Sequence, residues 1–191
     1  EKIVNDIDVP IQHVNDKILK RMNRRGTRAE LDRLMEKLRA RIDGVVIRTS
    51  LITGLPGEGE AEFEELCDWL RVHKLERVGV FPFSPEEGTA AARMEHPDEE
   101  TAVHRAELIG QLQSRIMDEY NEKMVGKTLE VLCEAYDPQT ERYVGRTYAD
   151  SPEIDGRVLF TAQEPVRIGD FVQVRIEGVS DGDLTGREEE K

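Results

Sequence analysis

Residues 45–59, with the sequence VVIRTSLITGLPGEG, form the stretch that decides the fold of this chain. The first eight are mostly β-branched or apolar, which predicts a buried parallel strand. A glycine-rich loop follows, and apolar side chains then recur at helical spacing: Phe63, Leu66, Cys67 and Leu70. A strand, a tight loop and a helix in this order are typical of an α/β fold.

The same alternation extends to both sides of this stretch. Upstream, a short apolar run at 7–11 predicts a strand, and a capping box at 27–30 opens a helix over 27–42. Downstream, 77–83 predicts a third strand, and a long helix begins at 97–98 and ends near 126. Because a parallel sheet prefers more strands and protected edges, we expect the chain to be the C-terminal piece of a longer βα-repeat protein.

The apolar period changes from 3.6 to 2 after residue 126, which marks a second domain. Turn residues separate short strands near 129–134, 142–149, 156–161 and 171–177, a spacing that predicts a small antiparallel barrel. We therefore place the domains at 1–126 and 127–191, and we expect the charged tail at 186–191 to be frayed.

The composition excludes several classes of protein. Hydrophobic residues make up 38% and charged residues 35% of the chain, as in a folded globular protein. No apolar run approaches the roughly 18 residues of a membrane span, and we expect no signal peptide from the pattern of the first residues. Two cysteines cannot form a disulfide framework, so we expect a cytoplasmic location. A formal net charge of −13 argues against a broad nucleic-acid surface, which needs excess cations.

The loop at 54–59 lies where α/β folds bind ligands, at the carboxyl end of a strand. It lacks the Lys-Ser/Thr of a P-loop, and its glycine spacing differs from the dinucleotide fingerprint. The following helix begins with several glutamates, which would repel a phosphate. The loop is therefore either a site for a cationic or zwitterionic ligand or a plain strand-to-helix turn.

Three further positions carry polar groups that suit a ligand site. Gln12 and His13 follow the first strand, at the same predicted edge as the glycine loop. Arg48 lies inside an apolar strand, so its guanidinium needs either a ligand carboxylate or a salt bridge within the fold. Cys67 and Cys133 share the apolar faces of their elements and are interpreted as core residues. The four histidines show no metal-ligand spacing, so we predict no metal site.

Three motifs carry a resemblance to a known family. Residues 9–24 (VPIQHVNDKILKRMNR), 48–58 (RTSLITGLPGE) and 81–90 (FPFSPEEGTA) resemble, in order and spacing, segments of the radical S-adenosylmethionine methylthiotransferases. The resemblance implies the C-terminal βα units of a partial, TIM-like radical SAM barrel, followed by a five-stranded, OB-like TRAM barrel. Residues 145–156 (GRTYADSPEIDG) are similar to the members that modify an aspartate of a small-subunit ribosomal protein. The tRNA-modifying members lack this run.

The resemblance also implies cofactors and site residues. The complete enzyme would use S-adenosylmethionine and two 4Fe-4S clusters, whose cysteine ligands are not in this chain, so the chain alone should hold no catalytic residue and be inactive. The implied cofactor-binding residues are Gln12, Arg48, Ser50, Gly54 and Phe83. Arg48 would pair with the ligand carboxylate, and backbone near Gly54 and Phe83 would line the adenine. Phe83 stands where the family has a tyrosine.

The barrel offers a candidate partner surface. Residues 127–191 contain eight basic and fifteen acidic side chains, and Asp150, Glu153 and Asp155 share one proline-stiffened loop. This charge favours a basic small-subunit ribosomal protein over tRNA as the partner. Two alternatives stay open for the whole chain: a tRNA-adenosine methylthiotransferase, and a non-catalytic module that docks a partner. The alternative explanation of the acidic side chains is that they only form a solvated surface of the barrel.

Overall fold

The computed structural model describes residues 4–189 as two compact units. The first unit is Asp6–Ile116, and the second contains residues 4–5 and the described residues from Met117 on. One helix holds residues of both units, so the domain boundary between 126 and 127 stays a prediction.

The first unit is an α/β layer built on a three-stranded parallel sheet in the order β1-β2-β3. This arrangement confirms the predicted alternation of strands and helices. The bounds of its elements are β1 Asp6–Asp8, α1 Asp16–Arg21, α2 Arg28–Arg41, β2 Val46–Thr53, α3 Glu60–His73, β3 Arg77–Pro82, a 3-10 turn Ala91–Arg93, and α4 Glu99–Glu122.

The core of this unit lies between one face of the sheet and the helices. Along β2 the buried positions alternate, so that Ile47 and Leu51 face the helices while Ser50 is half-buried on the other face. Met35 of α2 and Trp69 of α3 are fully buried in the same cluster. Burial beneath these helices therefore explains the apolar residues at alternate positions of β2, while Arg48, Ser50 and Ile52 on the other face are only partly buried.

Local hydrogen bonds fix where the helices begin. The capping box of α2 is present, because the Thr27 hydroxyl accepts from the amide of Glu30 and the Glu30 carboxylate accepts from the amide of Thr27 at 2.8 Å. Before α4, the carboxylate of Asp98 accepts from the amide of Thr101 at 2.8 Å. Hydrogen bonds from the Thr101 hydroxyl and amide lower the pKa of Asp98, which keeps the cap ionised.

The second unit is a closed barrel of five strands in the order β4-β5-β6-β8-β7. Its bounds are β4 Thr128–Asp137, β5 Arg142–Arg146, β6 Val158–Thr161, β7 Phe171–Ser180 and β8 Asp183–Glu188. All neighbours pair antiparallel except β6 and β8, which are parallel. The alternating residues Val131 and Cys133 point into the core, against Phe160 and Ile176. Full closure removes the exposed edges that a small open sheet would present.

Two sequence expectations about element bounds are wrong. The first strand spans only Asp6–Asp8, because the chain beyond it returns to β2 through a single bridge at Gln12. The tail expected to be frayed contributes Gly186 to Glu188 to β8, which closes the barrel against β6 and β7. That pairing is long-range, so no local pattern reveals it. Residues 190–191 of the expected tail lie outside the described residues.

Candidate functional site

Three of the predicted site residues lie at the carboxyl edge of the sheet. Gln12 pairs with Leu51 in an isolated parallel bridge beyond the end of β1. Gly54 directly follows β2, and Phe83, just after β3, donates its amide to the carbonyl of Thr53 at 2.7 Å. The structure therefore brings Gln12, Gly54 and Phe83 to one edge, where α/β folds place their ligands.

The backbone of Gln12 is fixed to β2 from both sides. Its φ of 69° lies in the left-handed region, its amide donates to the carbonyl of Ser50 at 2.9 Å, and its carbonyl accepts from Ile52 at 2.8 Å. Within residues 4–189, the Gln12 side-chain amide and the Ser50 hydroxyl make no hydrogen bond to the protein. Two neutral polar groups on a rigid backbone are thus available to a ligand.

Arg48 lies away from this edge. It is the third residue of β2 and pairs in register with Asp8 and Arg77. Its Nη2 is 3.4 Å from Oδ2 of Asp6, and both side chains are 19% exposed. Six positions along an extended strand separate Arg48 from Gly54, a span of about 20 Å. The structure shows the salt bridge within the fold that the sequence offered as one explanation of Arg48.

Gly54 is required by packing. Its φ is 77°, and a Cβ at this position would overlap the Cβ of Ala102 in α4. The hydroxyl of Thr53 donates to the carbonyl of Ala102 at 2.8 Å, which holds α4 against the end of β2. The glycine therefore permits a close approach between strand end and helix.

Glu58 anchors the glycine loop from within. Its side chain is fully buried, and Oε1 accepts from the amide of Gly54 and from Nη1 of Arg105, each at 2.9 Å. Arg105 also donates to the carbonyl of Glu58 at 3.1 Å, and its guanidinium lies 5.2 Å from the ring centre of Phe63. The loop is therefore tied to α4 by a buried, charge-assisted hydrogen-bond network.

His13 lies beside this network, on the side of β1. Its Nδ1 accepts from the amide of Asn15 at 3.1 Å, which leaves the proton of a neutral ring on Nε2. Nε2 faces Oε2 of Glu58 at 3.4 Å, and within the described part of the chain both atoms are buried without a hydrogen-bond partner. His13 therefore lies inside the fold beside Glu58.

Sequence reasoning missed the role of Glu58 and Arg105. In sequence, Glu58 shortly precedes the glutamates of the first turn of α3, yet its side chain turns inward. A signal for Arg105 was present, because it lies three residues after Ala102 and four before Ile109, on the buried face of α4. An arginine at such a position requires a buried acidic or polar partner.

The connection after β3 lies against the glycine loop. The amide of Gly57 donates to the carbonyl of Glu95 at 3.2 Å. The rings of Phe83 and His96 make a T-shaped contact, with centroids 5.4 Å apart. The edge thus offers the side-chain amide of Gln12 and the aromatic surface of Phe83, while the Ser50 hydroxyl lies further into β2, four residues before Gly54. Groups of these kinds can hydrogen-bond and stack a nucleoside.

The three predicted partner-binding carboxylates of the barrel differ in their surroundings. Asp150 is buried, and its Oδ2 accepts from the hydroxyl of Thr147 at 2.7 Å and from the amide of Thr147 at 3.0 Å. Asp155 accepts from the amide of Ser151 at 2.7 Å. Glu153 is exposed, with a φ of 62°. Two of the carboxylates therefore shape the loop, and Glu153 presents its charge outward.

The cysteines lie in different units, and burial raises the pKa of both the Cys67 and the Cys133 thiol. Among residues 4–189, no cluster of three or more His, Cys, Asp or Glu side chains has the geometry to hold a metal ion. None of the described helices combines the length and the apolar character that crossing a membrane requires.

Two protein-family models match this chain. Residues 1–70 match the Radical SAM superfamily, and residues 125–188 match the TRAM domain. The chain also has the fold of coproporphyrinogen III oxidase (HemN) from Escherichia coli, a radical SAM enzyme, with a TM-score of 0.51. That alignment covers 75% of this chain and 39% of HemN at 13% identity, so it concerns the fold alone. The predicted radical SAM and TRAM architecture is confirmed.

The curated relatives are more specific. The chain is 42% identical to ribosomal protein uS12 methylthiotransferase RimO from Acetivibrio thermocellus, over 97% of this chain and 41% of the relative. It is 44% identical to RimO from Symbiobacterium thermophilum, over 97% of this chain and 39% of the relative. The resemblance to radical SAM methylthiotransferases is thus confirmed. The chain spans about two fifths of the length of these relatives.

Proposed function

We propose that this chain is part of a radical SAM methylthiotransferase that adds a methylthio group to an aspartate of ribosomal protein uS12. The identity of 42–44% over 97% of the chain to enzymes named for uS12 carries this proposal. The run at 145–156 supports it, because the resemblance to the ribosomal branch of the family rests on those residues. A protein partner in the small ribosomal subunit implies a cytoplasmic location.

The proposed cofactor site is the carboxyl edge of the sheet. S-adenosylmethionine and two 4Fe-4S clusters would supply the radical and the methyl group in the complete enzyme. The free amide of Gln12 and the hydroxyl of Ser50 would hydrogen-bond the ribose or amino-acid part of S-adenosylmethionine, and Phe83 would contribute aromatic surface. The amide of Gly54 already donates to Glu58, so Gly54 would serve by shaping the loop. Cys67 and Cys133 lie in the cores of different units, and two separate thiols are too few to hold a 4Fe-4S cluster.

A chimera tests this site. In it, this chain replaces the matching part of the Acetivibrio thermocellus relative, and equilibrium dialysis measures binding of S-adenosylmethionine. Gln12→Ala and Ser50→Ala should each weaken binding about 5- to 10-fold, the value of one hydrogen bond. Arg48→Ala tests the rival assignment, because Arg48 lies two residues before Ser50 on the same face of β2 and pairs with Asp6. Gln163→Ala, which changes an exposed glutamine of the barrel, is the control and should leave binding unchanged. Weaker binding in Arg48→Ala alone would contradict the proposal and restore the assignment of Arg48 as the carboxylate partner.

The proposed partner surface is the acidic loop of the barrel. A groove of about 390 Å³ is lined by Glu134, Glu153 and Asp155 together with Arg146 and Arg157. Arg146 donates to Glu134 at 2.7 Å, so the exposed Glu153 is the main charge that the groove offers to a partner. Acidic side chains around a groove favour a Lys or Arg side chain from a basic protein. The loop is stiffened by Pro152 and by its own hydrogen bonds, so little order is lost on binding.

Titration of uS12 against the chain at rising salt tests this surface. Glu153→Gln should weaken binding, while Glu164→Gln, an exposed glutamate outside the groove, should leave it unchanged. If neither rising salt nor Glu153→Gln changes the affinity for uS12, the proposed acidic surface is refuted. Binding of tRNA by the barrel without any binding of uS12 would favour the tRNA-adenosine methylthiotransferase, and uS12 binding by an inactive chimera would favour a docking module.

A further inference from the structure

A strongly basic segment interrupts this acidic chain. Residues 17–28 contain six cationic side chains and no carboxylate, although the formal net charge of the whole chain is −13. The six are Lys17, Lys20, Arg21, Arg24, Arg25 and Arg28. Six positive charges within twelve residues create a positive local potential, although the net charge of the whole chain is negative.

The fold puts these cations on the surface. Lys17, Lys20 and Arg21 recur at helical spacing on α1, opposite the buried Ile18 and Leu19. The connection to α2 then carries two more exposed arginines. The apolar face of α1 is used by the core, so its basic face is left to solvent.

Only part of this charge is neutralised inside the fold. Lys17 lies 3.3 Å from Glu62, and Arg28 lies 2.8 Å from Glu65. Within the residues that the structure describes, Lys20, Arg21 and Arg25 pair with no carboxylate. Three exposed cations therefore remain available to an anionic partner.

The basic segment borders the candidate site. The guanidinium of Arg21 lies directly over Gly57, where a Cβ would collide with it, and Arg24 donates to the carbonyl of Pro10 just beyond β1. Both contacts are at the carboxyl edge of the sheet. A partner held by these cations would lie beside the proposed cofactor site.

We propose that residues 17–28 bind the phosphate backbone of RNA. This inference rests on the proposed function in one respect: a basic ribosomal protein would be repelled by this segment, but the RNA to which such a protein is bound would be attracted. Arginines dominate the segment, and their planar guanidinium groups suit phosphate oxygens. The enzyme would then grip RNA with α1 and the protein with its acidic barrel.

Fluorescence anisotropy with a labelled RNA hairpin tests the proposal on this chain. The wild type should bind in low salt, with an affinity that falls steeply as KCl rises. The variant that combines Lys20→Gln, Arg21→Gln and Arg25→Gln, called the α1 variant although Arg25 lies just after that helix, should weaken binding about tenfold or more and reduce the salt slope by about 2 to 3. The matched control removes the same charge from α2, as Arg33→Gln, Lys37→Gln and Arg41→Gln, and should retain nearly the wild-type slope.

Several outcomes would overturn the RNA surface: no binding by the wild type, equal binding by the α1 variant, an equal loss in the α2 control, or equal competition by polyglutamate. Titration with uS12 separates this failure from that of the proposed function. If the α1 variant loses RNA but keeps uS12, both proposals stand. If RNA binding is absent while uS12 still binds, only the RNA surface fails.

Discussion

Gly54→Ala should destabilise the α/β unit because of one specific close approach. The alanine would have to adopt a φ of 77°, which costs an L-residue about 1–2 kcal/mol. Its Cβ would also overlap Ala102, and overpacking of this kind costs roughly 1–3 kcal/mol more. The free energy of unfolding should therefore fall by about 2–5 kcal/mol. Gly88→Ala is the matched control, because Gly88 has a φ of 82° but nothing within 4 Å of its Cβ position.

Urea unfolding followed by tryptophan fluorescence measures both variants. Trp69 is the only tryptophan and is fully buried in the α/β unit, so its signal reports that unit separately from the barrel. Gly88→Ala should cost only the backbone strain of about 1–2 kcal/mol. With a urea slope of about 2 kcal/mol per M, the midpoint of Gly54→Ala should fall by about 1 M or more. Equal losses in the two variants would refute the packing role of Gly54.

Three further predictions follow from the same contacts. Glu58→Gln should lower the free energy of unfolding by about 3–5 kcal/mol, because it breaks the buried ion pair with Arg105. Glu60 contacts the same arginine but its side chain is 74% exposed, so Glu60→Gln should cost less than about 1 kcal/mol; equal urea midpoints of the two variants would contradict this. Burial alone would raise the pKa of Glu65, but hydrogen bonds from Arg28 and Asn15 lower it overall. The contribution of Glu65 to stability should therefore be present above the pKa of the unfolded chain and be lost as the pH falls through the lowered pKa of the folded state. Glu65→Gln should flatten this dependence of the free energy of unfolding on pH, and an unchanged dependence would contradict the prediction. Alkylation by iodoacetamide at neutral pH should be slow for Cys67 and Cys133 until urea unfolds the chain, and rapid labelling of either native thiol would show that it is not buried.

The regular elements could be predicted from sequence because their signals are local. The β-branched run of β2 and the capping box at Thr27 each fix an element through neighbouring residues. The last strand escaped prediction, because Asp183–Glu188 is a polar segment that owes its conformation to two distant partners, β6 and β7. Tertiary pairing of this kind overrides local propensity.

The candidate site could be predicted only at the level of the sheet edge. The positions of Gln12, Gly54 and Phe83 follow from strand order, since parallel strands end at one edge. The inward turn of Glu58 does not follow, because it depends on an arginine 47 residues away. The sequence favours Asp150 as a surface charge for a partner, but Asp150 is buried and accepts two hydrogen bonds from Thr147, because short-range capping competes with exposure.

The central claim is tested most directly by measuring which molecule the chimera modifies. The reconstituted chimera of this chain and the Acetivibrio thermocellus relative is incubated under reducing, oxygen-free conditions with S-adenosylmethionine, a sulfur source, uS12 and tRNA in one reaction. Mass spectrometry of the uS12 peptides and of the tRNA nucleosides then measures where a methylthio group is added. We predict its addition to an aspartate of uS12, with unmodified tRNA. A methylthio-adenosine in the tRNA, with unmodified uS12, would contradict the account.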